Sequence, residues 1–110
     1  MPRIRTIKPG LWSDAQVVSL SHDARLLLIG LISMADDEGR FVATVAAIRG
    51  YVYPFDNVSD AYVRRLRDEI ARTKIITVYN ADGLELGAFP NYLRHQRINR
   101  PTSSVIPPPP

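Results

Sequence analysis

Ser59-Asp60-Ala61-Tyr62-Val63-Arg64-Arg65-Leu66-Arg67-Asp68-Glu69-Ile70-Ala71-Arg72-Thr73 decides how the rest of this chain is read. Ser59 is a helix cap, and Asp60 follows in the first turn, against the positive end of the helix dipole. Val63, Leu66 and Ile70 recur at helical spacing on one side, with Tyr62 at its margin. At about 100° per residue, Ala61, Arg64, Arg65, Asp68 and Arg72 project from the opposite side. Arg67 falls near the edge of the apolar stripe, where its aliphatic stem can lie over it. The spacing predicts an amphipathic helix with a cationic outer side.

The flanking residues supply the other elements. Ile75 to Tyr79 is β-branched and aromatic, Asn80-Ala81-Asp82-Gly83 is a turn, and Leu84 to Phe89 alternates as a returning strand. Upstream, Thr44 caps a short helix from Val45 to about Tyr51, which stops ahead of Pro54. A link from about Val52 to Val58 joins it to the amphipathic helix. Ser21 caps a first helix, Ala24 to Ala35, so apolar all round that it is expected at the centre of the core. Asp36-Asp37-Glu38-Gly39 ends that helix and reads as a solvated acidic turn, before a short strand at Arg40-Phe41-Val42. Pro2 to Leu20 reads as an irregular arm in which Trp12 is expected to anchor packing.

Composition narrows the function. The chain has 110 residues, 45% hydrophobic and 23% charged, which fits one domain with one core. It has no cysteine, which excludes disulfides and thiolate metal sites. No apolar run approaches the roughly 20 residues of a membrane span, and no apolar stretch follows Arg3 and Arg5 as a secretory signal requires. A cytoplasmic protein is expected. His22 and His95 lack a carboxylate at catalytic spacing, and no phosphate-cradling glycine loop appears. The expectation is no catalysis, no cofactor and no metal.

Twelve of the fourteen basic residues are arginine, and the net charge is +3. Arg3, Arg5 and Lys8 open the chain with no acid before Asp14, and Arg94, Arg97 and Arg100 close it with no acid after Glu85. Basic ends around a neutral body read as arms for phosphate.

Helix, short strand, short helix, amphipathic helix and hairpin follow in the order of an α+β winged helix-turn-helix with a C-terminal hairpin wing. The expected layout is a basic arm over residues 1–20, partly packed on the core, a winged-helix domain over 21–100, and a flexible proline-rich tail over 101–110. Candidate DNA contacts are Arg64, Arg65, Asp68 and Arg72 on the third helix, Thr44 at the second, Asn80 and Asp82 on the wing, and the six basic residues of the two ends.

Several strings extend this reading. Arg3-Ile4-Arg5-Thr6-Ile7-Lys8-Pro9 followed by Trp12, Ala24-Arg25-Leu26-Leu27, Ala35-Asp36-Asp37-Glu38-Gly39-Arg40, and His95-Gln96-Arg97-Ile98-Asn99-Arg100-Pro101 resemble the N-terminal winged-helix domain of bacteriophage replisome-organiser or replication-initiator-like proteins. The resemblance spans nearly the whole chain and implies double-stranded DNA binding in phage replication or its control, inside a bacterial host. The junction after the third helix usually reads like Gly-Leu-Ile in such domains, whereas here it is Thr73-Lys74-Ile75-Ile76. The rival expectation is a small phage module that binds and inhibits a bacterial host protein, with Tyr51, Tyr53, Phe55 and the proline-rich end as its contacts.

Overall fold

The three hydroxyls expected to start helices do so. In the computed structural model, which describes residues 3–110, the side chains of Ser21, Thr44 and Ser59 accept hydrogen bonds from the amides of Ala24, Ala47 and Tyr62. Each cap satisfies an amide that the first helical turn leaves unpaired. The elements follow as α1 (Ala15–Val18), α2 (His22–Met34), β1 (Arg40–Val42), α3 (Val45–Val52), α4 (Asp60–Arg72), β2 (Thr77–Ala81), β3 (Leu84–Ala88) and α5 (Tyr92–His95). The described residues therefore form an α+β fold of five α-helices and a three-stranded antiparallel sheet, ordered β1-β3-β2.

Helices α2, α3 and α4 pack on one another. Leu27, Leu28 and Leu31 of α2, Ile48 of α3, and Val63, Leu66 and Ile70 of α4 are sealed from solvent. Burying each such aliphatic side chain is worth about 1.5–3 kcal/mol before entropy is charged against it. Leu26 stays exposed, so α2 is central without being enclosed all round. Trp12 is 58% exposed, and Leu11 beside it packs against the core instead, which corrects the expected anchor.

Asp82 (φ 55°) and Gly83 (φ 74°) form a two-residue turn with both central residues left-handed. That geometry matches the twist of the strands it joins, Ala81 facing Leu84 and Tyr79 facing Leu86. The hairpin begins two residues later than Ile75, because Lys74 turns the chain at φ 70°. Ile76 drops into the core from the bend that follows.

The acidic turn is the principal departure from expectation: it is a dock for both ends. Asp36 accepts from the amides of Glu38 and Arg40 at 2.9 and 3.0 Å, and from the Ser104 hydroxyl. Asp37, only 5% exposed, meets the Arg5 guanidinium at 3.0 Å, Arg3 at 3.4 Å and the Thr102 amide at 2.8 Å. Glu38 accepts from the Ser104 amide. Beyond them, Arg40 donates to the Ile106 carbonyl at 2.8 Å and Tyr79 to the Pro107 carbonyl at 2.6 Å. Ile106 packs on the small cluster of Tyr79, Leu86 and Ala88. The tail over 101–110, expected to be free, lies along the sheet, because its hydroxyl, amide and carbonyl groups find partners there.

The Thr102 amide holds the Asp37 carboxyl below the ordinary carboxylate value, burial opposes that, and Arg5 and Arg3 reinforce it. A carboxylate with a depressed folded pKa stabilises the fold fully above its unfolded pKa, about 3.9, and loses that contribution as pH falls through the folded value. Asp37→Asn leaves the Arg5 guanidinium buried without its counter-charge. Urea denaturation at pH 7 should show a loss of about 2–4 kcal/mol. The variant should also lose less stability than the parent on acidification below pH 4; parallel acid titrations of the two proteins would assign the loss elsewhere.

Candidate nucleic-acid interface

The outer side of α4 carries the charge expected of it. Arg64, Arg65 and Arg72 are exposed, and none forms an ion pair with a described residue. The Arg65 guanidinium lies over the Tyr62 ring, 5.5 Å from its centroid, which holds it along the helix surface without neutralising it.

Asp68 does not pair with Arg64. It binds Arg67 Nε at 3.1 Å. Arg67 is buried, its side chain 5% exposed, and its other contacts are the Ala43 carbonyl at 2.8 Å and Glu85 at 3.3 Å. A buried guanidinium is costly unless its donors are met. Here they reach from α4 to the residue after β1 and to the second residue of β3, so one side chain ties the arginine-bearing helix to the hairpin. Sequence periodicity put Arg67 at the edge of the apolar stripe. The signal it missed was an acid, Glu85, on a strand facing the helix.

Other expected contacts divide. Asn80 and Asp82 are exposed on the hairpin, Asp82 also serving its turn. Thr44 is half-buried, with its hydroxyl oxygen engaged in capping α3. At the ends, Arg94, Arg97 and Arg100 are exposed. The N-terminal cations do not stand free as a phosphate-binding arm. Arg5 is enclosed, its side chain 4% exposed, donating to the Ala35 carbonyl at 2.8 Å and lying over the Tyr92 ring. Arg3 donates to the carbonyls of Asn99 and Arg100 at 2.9 and 3.1 Å, and Lys8 to that of Arg94 at 3.0 Å. Gln96, buried, exchanges hydrogen bonds with the backbone of Thr6 at 2.9 and 2.8 Å. The two basic ends are thus brought together and cross-braced, with acids of the Asp36–Glu38 turn between them.

Of the aromatic contacts expected for a protein partner, Tyr53 is buried and burial pushes its phenol up to about 12. Tyr51 shares a hydrogen bond with Ser33 at 2.9 Å. Phe55, in the loop between α3 and α4, is 99% exposed. Among the described residues no cluster of three acidic or histidine side chains is arranged to hold a metal, and no helix is long and apolar enough to cross a membrane. Comparison with protein-family models, with curated proteins and with solved structures gives no match to this chain.

Arg67→Met should lower stability by about 1–3 kcal/mol, the cost of orphaning the Ala43 carbonyl. Amide hydrogen exchange should quicken in residues 77–88 more than in α2. Arg67→Lys should not restore protection, since one ammonium cannot span the same acceptors. Uniform quickening across the chain would show that Arg67 supports the fold generally and not the hairpin in particular.

Proposed function

We propose that the chain binds double-stranded DNA as a winged helix-turn-helix protein, with α3 and α4 as the paired helices and β2–β3 as the wing. Helix α4 enters the major groove, where exposed arginines reach base edges and phosphates. The observation that carries this reading is the outer side of α4: three exposed arginines without an ion partner among the described residues, on a helix fastened to the hairpin by Arg67. Asn80 and Asp82 on the turn, and Arg94, Arg97 and Arg100 near the C-terminal end, extend the contact. Arg3, Arg5 and Lys8 serve to brace the ends instead. A role in phage DNA replication or its control, in the bacterial cytoplasm, is supported by the resemblance of the quoted strings to phage replisome organisers.

A second reading rests on Phe55. A wholly exposed phenylalanine has no internal packing role, and it favours a module that grips a bacterial host protein through the α3–α4 loop.

Fluorescence anisotropy on a labelled duplex separates the two. The parent should bind with affinity that falls as salt rises, and each phosphate contact removed should flatten the log–log slope by about 0.9. Arg64→Ala, Arg65→Ala and Arg72→Ala should each weaken binding by about 1–3 kcal/mol where a base edge is lost, and less where only a phosphate is. Phe55→Ala should leave DNA affinity intact. Parental affinity in all three arginine variants, or no duplex binding at low salt, would pass the case to the protein-binding reading.

A further inference from the structure

A cleft of about 540 Å³ opens between the N-terminal segment and the core, within the roughly 300–1,000 Å³ usual for small-molecule sites. Its wall is apolar where it meets the core: Leu28 and Ile32 of α2, then Phe89 and Tyr92. Its roof is the Pro9–Ser13 turn, fixed to the body by the Thr6–Gln96 and Lys8–Arg94 hydrogen bonds. One acid lines it, Asp14, whose carboxylate is engaged by the amides of Gln16 and Val17 as the cap of α1.

Two lysines line the cleft: Lys8, whose ammonium is bound to the Arg94 carbonyl at 3.0 Å, and Lys74. The Lys74 side-chain nitrogen has no hydrogen-bond or ionic partner among the described residues, and its backbone sits at φ 70°. That conformation follows directly on the end of α4, where glycine is accommodated without steric cost and a side chain is not. A lysine kept in a glycine's place, with its ammonium free at the rim of an apolar cavity, is strain at a position where a charge is useful. The turn itself serves the fold, the Lys74 amide closing on the Ala71 carbonyl at 3.1 Å and Ile76 entering the core beyond it, but the ammonium contributes nothing to that among the described residues.

We infer that the cleft binds a small amphipathic monocarboxylic acid, its hydrocarbon or aryl part against Leu28, Ile32 and Phe89 and its carboxylate on the Lys74 ammonium. The apolar wall selects the body of such a ligand, and the unpaired cation selects its head. A charge-assisted hydrogen bond from the exposed Lys74 ammonium at the rim supplies the preference for an anion over a cation or an alcohol.

Calorimetric titration of the full chain with decanoate, decanol and decylamine tests this directly. Decanoate should bind saturably, one per chain, and about tenfold more tightly than decylamine. Lys74→Met should weaken decanoate by about tenfold and abolish its advantage over decanol, while Lys74→Arg keeps most of it. Lys74→Gly should show the same loss together with a raised melting temperature, because it relieves the left-handed strain; a lysine with a merely structural role would not produce that pairing. No saturable decanoate binding below the micellar threshold, equal binding of decylamine, or full affinity in Lys74→Met would each overturn the assignment. Nucleic acid is absent from the titration, so its outcome and that of the duplex experiment stand apart.

Discussion

The buried carboxylate of Asp37 holds this architecture closed. It sits just past the end of α2, and both ends of the chain arrive there, one as guanidinium groups and the other as a backbone amide. An ionised side chain at this depth would destabilise the fold if it lacked partners. Its environment supplies two cations and an amide donor, and those partners order segments that composition alone would leave loose. Gly39, two residues on at φ 81°, lets the chain turn there, and a side chain at that position would collide with Tyr92. Charge, turn geometry and packing thus meet within three residues.

The arginines sort into two populations. Six are engaged internally: Arg3 and Arg5 at the acidic turn, Arg25 on the carbonyls of Val17, Val18 and Leu20, Arg40 on Ile106, Arg49 on Asp60, and Arg67 between α4 and the sheet. The other six, Arg64, Arg65, Arg72, Arg94, Arg97 and Arg100, are exposed without an ion pair from the described residues. A fork with five donors can satisfy several carbonyls at once, which is why arginine serves as an internal fastener where lysine would not. The count of fourteen basic residues therefore overstates what is available to a partner. The free set is what a polyanion such as DNA would meet, and it lies on α4 and in the C-terminal segment.

Local chemistry was legible in the sequence, and long-range docking was not. Ser21, Thr44 and Ser59 act on amides within their own first turn, and Val63, Leu66 and Ile70 declare a face by spacing, so both could be read directly. Asp82-Gly83 carries its turn in its side-chain chemistry. Lys74 hides one, because the left-handed residue after α4 is not glycine. The four-residue helices α1 and α5 are too short for periodicity to reveal. Asp37 and the two basic ends are separated by more than thirty positions on one side and sixty on the other. The complementarity was visible as charge distribution, but like-signed ends invite an external anion before an internal one. For the candidate site, helical phase separated Arg64 and Arg65 from the core; the capture of Arg5 and Arg67 depended on partners that sequence order does not bring near.

The union of the two ends at one acidic turn has a mechanical consequence. Tension applied between residues 3 and 102 is met first by the Arg3 contacts and by the Thr102–Asp37 bond, loaded together as a clasp, while the helices behind it carry little. Such a fold resists being unzipped from its extremities until the clasp shears. Once that latch has parted, the Ser104, Arg40 and Tyr79 contacts still hold the tail over the sheet, so baring the adhesive surface beneath Ile106 is a second and separate step.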